Sequence, residues 1–216
     1  MIASQEWDVK NETVLELGAG AGLPSIVAGL CGAKEVVISD YPALELLSNI
    51  SANVKRNITP QIIYNSKISV RGHKWGELDP AKNNTPVSTA DLLTMTHPPH
   101  SFTRIIVADC MWMAWQHANL CSSIAHFLDP EHGEMLAIAG FHTGRAKVVN
   151  FFEECERAGL VLLEESIVER DVDGGQREWC EDRGIEDVVE RKRWLIIGKF
   201  KIGRGLKSAK KSENNK

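Results

Sequence analysis

The chain has 216 residues, a formal net charge of −4 and 43% hydrophobic residues, which suits a single α/β domain with a substantial core. No run of 18 apolar residues is present, and the N-terminus is not a basic and apolar leader, so we expect a cytoplasmic protein. Five scattered cysteines without a C-x-x-C pair argue against a disulfide framework and a zinc site, and no metal site is predicted.

The charge is unevenly distributed along the chain. Seven basic residues and one acid lie between Lys199 and Lys216, which leaves a formal charge of −10 on residues 1–198. We expect a folded domain over residues 1–202 and a basic disordered tail over residues 203–216. An acidic domain argues against nucleic acid as a substrate and fits a cationic one, although acidity also serves solubility.

The first informative stretch is a glycine-rich turn between a predicted strand and a predicted helix. Residues 13–17 are apolar or β-branched around one acid and predict a buried strand. Gly18, Gly20 and Gly22 then interrupt the pattern, and Pro24 begins a helix. This order exposes backbone amides at the positive end of a helix, where a ligand can approach them.

An acid follows the second predicted strand, residues 35–39. This acid, Asp40, comes 22 positions after Gly18. In α/β nucleotide-binding folds an acid at about this separation holds the ribose hydroxyls. The alternative interpretation is a glycine turn followed by an acidic helix N-cap at Asp40.

Residues 16–22, Glu-Leu-Gly-Ala-Gly-Ala-Gly, resemble the acidic-x-G-x-G-x-G signature of class I S-adenosylmethionine (SAM) dependent methyltransferases. The dinucleotide pattern G-x-G-x-x-G would instead need glycine at Leu23. The resemblance implies SAM as the cofactor and a Rossmann-like, doubly wound α/β sheet of seven strands, mostly parallel with an antiparallel last strand. The residues that it places on the cofactor are Glu16, Gly18, Ala19, Gly20 and Asp40.

Further strands and helices are predicted from hydrophobic periodicity. The strands are expected at 67–71, 104–108, 134–139, 160–168 and 192–200, and the helices at 43–56, 116–128 and 145–158, with a long loop over 77–101. Tyr41, Trp75 and Ala108 lie at carboxyl ends of predicted strands, where ligands bind in open α/β sheets, so we expect them at the cofactor. Tyr41 can instead staple a helix start, and Trp75 can cap the core.

The second informative stretch begins with Asp109, directly after the β-branched strand 104–108. Trp112, Trp115 and His117 follow before the next helix. Aromatic faces beside a carboxylate suit a pocket that holds an amine. One of the two tryptophans is equally well explained by core packing.

The segment Asp109-x-x-Trp112 resembles the Asp-x-x-Tyr/Phe motif of the seven-β-strand protein lysine methyltransferases. Residues 108–117 and 139–145 are similar to a fungal, nicotinamide N-methyltransferase-like branch whose members are thought to methylate the N-terminal region of translation elongation factor 1-alpha. The aromatic N-terminal segment expected of that branch is absent, so the domain is expected to be short at its start. The resemblance implies catalytic roles for Asp109, Trp112 and His142, and a substrate pocket formed by Trp112, Trp115 and Phe141.

The predicted function is therefore SAM-dependent methylation of a protein amine by a monomeric enzyme. Asp109 would position the amine or accept its proton, with His142 and His117 as secondary proton acceptors. An N-terminal amine is easier for the enzyme to methylate than a lysine, because about a tenth of N-terminal amines are neutral at pH 7, whereas lysine is almost wholly protonated. Two alternatives stay open: a small-molecule N-methyltransferase acting on nicotinamide or a similar compound, and a non-catalytic SAM-binding protein.

The segment over residues 171–190 is hydrophilic and rich in acids. It is predicted to be a solvated insertion, with an acidic lip that attracts a lysine-rich segment as the alternative.

Overall fold

The computed structural model describes residues 1–58, 66–79 and 86–203, so the predicted tail from 204 onward lies outside the described residues. The strands are β1 (Thr13–Leu17), β2 (Glu35–Asp40), β3 (Lys67–Gly72), β4 (Arg104–Ala108), β5 (Glu134–Gly140), β6 (Leu160–Leu162), β7 (Val168–Asp171), β8 (Gln176–Arg177) and β9 (Trp194–Ile202). The helices are α1 (Leu23–Leu30), α2 (Leu44–Asn57), α3 (Leu93–Thr96), α4 (His117–Phe127), α5 (Arg145–Arg157) and α6 (Val188–Lys192).

The strands form one mixed sheet in the order β3-β2-β1-β4-β5-β9-β7-β8. The first five pair in parallel, and β9 runs antiparallel to β5. The chain leaves β1 for β2 on one side and later returns to β4 on the other, which makes the β1/β4 boundary the switch point where α/β folds bind ligands. The predicted mostly parallel α/β sheet with an antiparallel last strand is confirmed.

Hydrophobic cores cover both faces of the sheet, because neighbouring residues of a strand point to opposite sides. Leu15 packs in a core with Phe127 of α4 and Phe151 of α5. Val14 packs in the other core with Ala28 of α1 and Ile50 of α2. Helices on both faces confirm the doubly wound arrangement.

The sheet has nine strands where seven were predicted. The sixth predicted strand, 160–168, is split, because a 3₁₀ turn at Glu164–Ser166 interrupts it. There the Lys199 amide donates a hydrogen bond to the Ser166 hydroxyl, whereas in a continuous strand it would donate to a backbone carbonyl. β6 and β7 consequently share one edge of β9, and β8 extends the sheet as a short hairpin. The last strand also begins later than predicted, at Trp194, since Lys192 ends α6.

The 171–190 segment is anchored by buried charges, which the prediction of a merely solvated insertion missed. Glu169 is fully buried, and its two oxygens accept hydrogen bonds from Arg145 at 2.5 and 2.8 Å and from Arg177 at 2.7 Å. Arg145 also bonds Glu186. Burial by itself would raise the pKa of Glu169, but the hydrogen bonds from the arginines outweigh it, and the pKa is lowered.

Within residues 1–58, 66–79 and 86–203, no helix is both long and apolar enough to span a lipid bilayer.

Candidate active site

The turn after β1 is shaped by glycines with positive φ. A Cβ at Gly18, which has φ +69°, would lie 2.7 Å from Trp75 Cζ2 and 2.8 Å from Cys110 Sγ, so the indole ring packs directly on the loop backbone. A Cβ at Gly20, which has φ +54°, would meet nothing within 4 Å. The Ala19 amide donates to the Ser39 carbonyl and fixes the loop to β2. The loop is therefore packed at Gly18 and open at Gly20.

Asp40 closes β2 beside this open glycine. Its Oδ2 accepts a hydrogen bond from the Gly20 amide at 2.7 Å, and its Oδ1 accepts one from the Tyr41 amide. The structure thus brings together the glycine turn and the acid that the sequence predicted to act on one ligand. An acid that meets a bare loop amide at the switch point is well placed to bind ribose hydroxyls.

A cavity of about 230 Å³ opens next to Asp40. Its lining consists of Asp40, Tyr41, His73, Lys74, Trp75, Met113 and Gln116. Tyr41 and Trp75 were predicted to lie there, whereas His73, Met113 and Gln116 were not singled out. Burial lowers the pKa of His73 to about 4, so its ring is neutral at pH 7, and its Nε2 lies 2.8 Å from Ser123 Oγ. The ring faces of Tyr41 and Trp75 beside the neutral His73 suit an adenine ring.

Glu16 lies inside the fold beneath the glycine turn, and its contact with the cofactor stays a prediction. Its side chain is buried, and Oε2 accepts the Ser25 amide of α1 at 3.1 Å. Glu16 therefore joins β1 to the first turn of α1 beneath the glycine turn. Burial raises its pKa to about 7 despite the opposing hydrogen bonds from Ser25.

The raised pKa of Glu16 makes stability depend on pH. The unfolded carboxyl loses its proton near its ordinary value of 4.5 and the folded one near 7, so this group lowers the free energy of unfolding as pH rises through that window. We expect Glu16→Gln to remove this loss. Its free energy of unfolding should therefore rise by up to about 3 kcal/mol relative to that of wild type between pH 5 and pH 8. Urea unfolding at both pH values measures the difference, with the exposed Glu131→Gln as control. Parallel curves for wild type and Glu16→Gln would contradict the assignment.

Asp109 begins the loop that follows β4, and its backbone is unusual. It has φ +57°, and its amide donates to the Ile138 carbonyl of β5 at 2.7 Å. Trp112 and Trp115 follow it with 44% and 71% of their surfaces exposed, and their rings meet edge to face with centroids 6.2 Å apart. Neither tryptophan packs in the core, contrary to the alternative that one of them would. A carboxylate and two exposed rings at one sheet edge can receive an amine.

The structure separates the two residues predicted after β5. His142 is exposed, and its Nδ1 lies 4.0 Å from Asp109 Oδ1, so it remains a candidate proton acceptor. Phe141 is fully buried, with its ring stacked on Trp179 and Arg145 placed 4.2 Å from its centre. The 171–190 segment, which was not predicted to be anchored, covers this ring through Trp179, and the place of Phe141 in the substrate pocket stays a prediction.

Ala108 and His117 lie on either side of this loop. Ala108 is partly buried at the end of β4, and its carbonyl accepts the Cys110 thiol. His117 is buried at the start of α4, with 1% of its surface exposed. It is therefore unavailable as a proton acceptor for a substrate, and Ala108 remains a predicted cofactor neighbour.

The sequence that forms this fold and this site matches a known protein family. A family model described as lysine methyltransferase matches residues 2–158, which include the glycine turn, Asp40 and the Asp109 loop. The chain belongs to this lysine methyltransferase family. Membership confirms the resemblance seen in the glycine turn and in the Asp109 loop.

Three fungal proteins are among the relatives of this chain. The protein named protein N-terminal and lysine N-methyltransferase EFM7 in Kluyveromyces lactis is 32% identical to this chain, over 71% of this chain and 58% of the relative. The protein of the same name in Candida glabrata is 35% identical, over 70% of this chain and 55% of the relative. A relative of the same name in Schizosaccharomyces pombe is 52% identical over 68 residues, or 32% of this chain and 25% of the relative. The chain spans just over half the length of the first two curated relatives.

Solved structures support the fold at much lower identity. A SAM-dependent methyltransferase from Aquifex aeolicus has a TM-score of 0.57 and 12% identity, covering 92% of this chain and 87% of its own. An arsenic(III) S-adenosylmethionine methyltransferase from Chlamydomonas reinhardtii has a TM-score of 0.57 and 16% identity, covering 94% and 66%. The family and fold imply SAM as the methyl donor. The open face of Gly20, the Asp40 carboxylate and the cavity beside Trp75 fit that cofactor.

The open face of Gly20 can be tested by filling it. We expect Gly20→Ala to weaken binding of S-adenosylhomocysteine at least about tenfold, because the new methyl group would occupy ligand space. The positive φ adds roughly 1–2 kcal/mol of strain. Gly159→Ala is the matched control, since Gly159 has φ +80° and an equally open face but follows α5, away from the loop. Calorimetry should show a loss of affinity in the Gly20 variant alone, and equal affinities would refute this placement of the cofactor.

Proposed function

We propose that this protein is a SAM-dependent N-methyltransferase that acts on a protein amine, an N-terminal α-amine or a lysine. The observation that carries the proposal is the contact of Gly20 with Asp40, with the Asp109 loop at the same carboxyl edge of the sheet. The names of the fungal relatives support both kinds of amine. Elongation factor 1-alpha is the proposed substrate, on the resemblance of residues 108–117 and 139–145 to the fungal branch.

The openness of the amine site favours a protein over a small molecule as substrate. Trp115 exposes 71% of its surface and Trp112 exposes 44%, so the two rings form an open surface rather than an enclosed pocket. Small-molecule sites usually bury most of their ligand in a concave cavity. A peptide that lies along the protein surface can instead place one amine against the rings of Trp112 and Trp115.

The chain contributes alignment and proton handling to methyl transfer. SAM, when bound, supplies a methyl group that is already activated. The Asp109 carboxylate accepts a hydrogen bond from the incoming amine, and the ring faces of Trp112 and Trp115 attract the positive charge that develops on its nitrogen. The amine must present its lone pair, so a protonated amine first gives its proton to His142 or to water.

Cytoplasmic location and a monomeric state belong to the same proposal.

Incubation of the purified chain with methyl-labelled SAM tests the proposal. Three acceptors are supplied separately: recombinant elongation factor 1-alpha, a fungal lysate and nicotinamide. Label on the elongation factor at an N-terminal or lysine amine is the expected result, with peptide mass spectrometry to place it. Label on nicotinamide alone would establish the small-molecule alternative. Absence of any label, with S-adenosylhomocysteine still bound, would favour a non-catalytic role for this chain.

A further inference from the structure

The loop that carries Asp109 and Trp112 is fixed from below by polar side chains of α4 and α5. His117 Nε2 lies 2.9 Å from the Met111 carbonyl oxygen. Lys147 Nζ of α5 donates to the Trp112 carbonyl at 3.1 Å. Two successive carbonyls are therefore held towards the helices, and the Trp112 side chain is left exposed.

His117 is itself fixed in place by α5. Its Nδ1 lies 2.8 Å from the Asn150 side-chain oxygen, and its ring meets Phe151 edge to face with centroids 5.4 Å apart. A carbonyl oxygen can only accept, so Nε2 carries the proton that faces Met111 and donates to its carbonyl.

We infer that His117 is a positioning residue for the amine site, acting through the Met111 carbonyl with Asn150 and Lys147 in support. This inference rests on the proposed function, which gives the Asp109 loop its role. Asp109, at the start of the loop, has a positive φ, and such a conformation persists only where the surroundings hold it. Holding its carbonyls on two helices restricts it to the shape that presents Asp109 and Trp112 together, and alignment of this kind is a large part of catalysis by proximity.

Hydrogen exchange of the 109–116 peptide, with S-adenosylhomocysteine affinity measured beside it, tests the inference without relying on activity. In His117→Leu we expect this peptide to exchange at least about tenfold faster than in wild type, with affinity unchanged within about twofold. His117→Gln retains an N–H donor and should exchange near the wild-type rate. His126→Leu is the control, because His126 lies on the same helix at the end away from the loop.

Equal exchange in the Leu and Gln variants would show that packing, and not the bond to Met111, holds the loop, and would overturn the inference. Lys147→Met decides the question should His117→Leu fail to fold, because Lys147 is not part of the core: faster exchange of the 109–116 peptide supports the inference and an unchanged rate refutes it. In the methylation assay, kcat should fall about tenfold in His117→Leu with the KM for SAM unchanged. A wild-type chain that labels no protein would end the proposed function, whereas the exchange result would still decide the role of His117.

Discussion

Replacement of Asp109 by asparagine is expected to lower protein methylation about 100-fold or more while S-adenosylhomocysteine binds as in wild type. The Asp109 carboxylate is exposed at the sheet edge and lies 4.0 Å from His142, so its charge is available to an incoming amine. Loss of a positioned proton acceptor or hydrogen-bond partner typically costs 10²–10⁴-fold in rate. Single-turnover labelling of the protein substrate measures the effect.

The choice of asparagine follows from the backbone. Asp109 has φ +57°, a region that asparagine tolerates well, whereas alanine adds roughly 1–2 kcal/mol of strain there. Asp109→Asn thus removes charge with little change in loop shape, and Asp109→Ala reports charge and strain together. Asp8→Asn, at an exposed acid of the N-terminal segment, is the control. Full activity of Asp109→Asn would show that the amine binds elsewhere.

Replacement of Glu169 by alanine is expected to lower the free energy of unfolding by roughly 3–5 kcal/mol, because it removes the fully buried carboxylate from Arg145 and leaves that arginine with Glu186 as its acidic partner. Glu169 has no exposed surface, and Arg145, Arg177 and Arg183 all donate to it. Because the pKa of Glu169 is lowered in the folded protein, the stabilisation that it provides is present above the ordinary carboxyl pKa and is lost as pH falls below it.

Chemical denaturation at pH 7 measures the cost of Glu169→Ala. Limited proteolysis reports whether the 171–190 segment loosens at the same time. Glu165→Ala, at an exposed acid only four residues away, should change stability by less than about 0.5 kcal/mol. A cost for Glu169→Ala as small as that of the control would mean that the segment is held by other contacts.

The sequence predicted the parts of the fold that depend on short-range patterns. β4 has the predicted bounds, Arg104–Ala108, because a β-branched run between polar residues leaves little choice. The glycine turn and Asp40 meet as expected, since the carboxyl ends of adjacent parallel strands share one edge. Local sequence therefore predicted that the glycine turn and Asp40 lie side by side.

The errors lie where contacts between distant residues decide the structure. The 3₁₀ turn at 164–166 depends on a bond from Lys199 to Ser166, 33 positions apart. Phe141 is buried because Arg145 and Trp179 cover it, and Arg145 is placed by Glu169 and Glu186. Arg145 is 24 positions from Glu169 and 41 from Glu186, and charge patterns alone do not show which acid becomes buried.

Titration of the purified chain with S-adenosylhomocysteine in a calorimeter tests most directly whether Gly20 and Asp40 form one cofactor site. We predict one ligand per chain, an affinity at least about tenfold weaker in Asp40→Asn, and no change in the exposed control Asp91→Asn. No heat from the wild-type chain, or equal affinity in the Asp40 variant and wild type, would contradict the account.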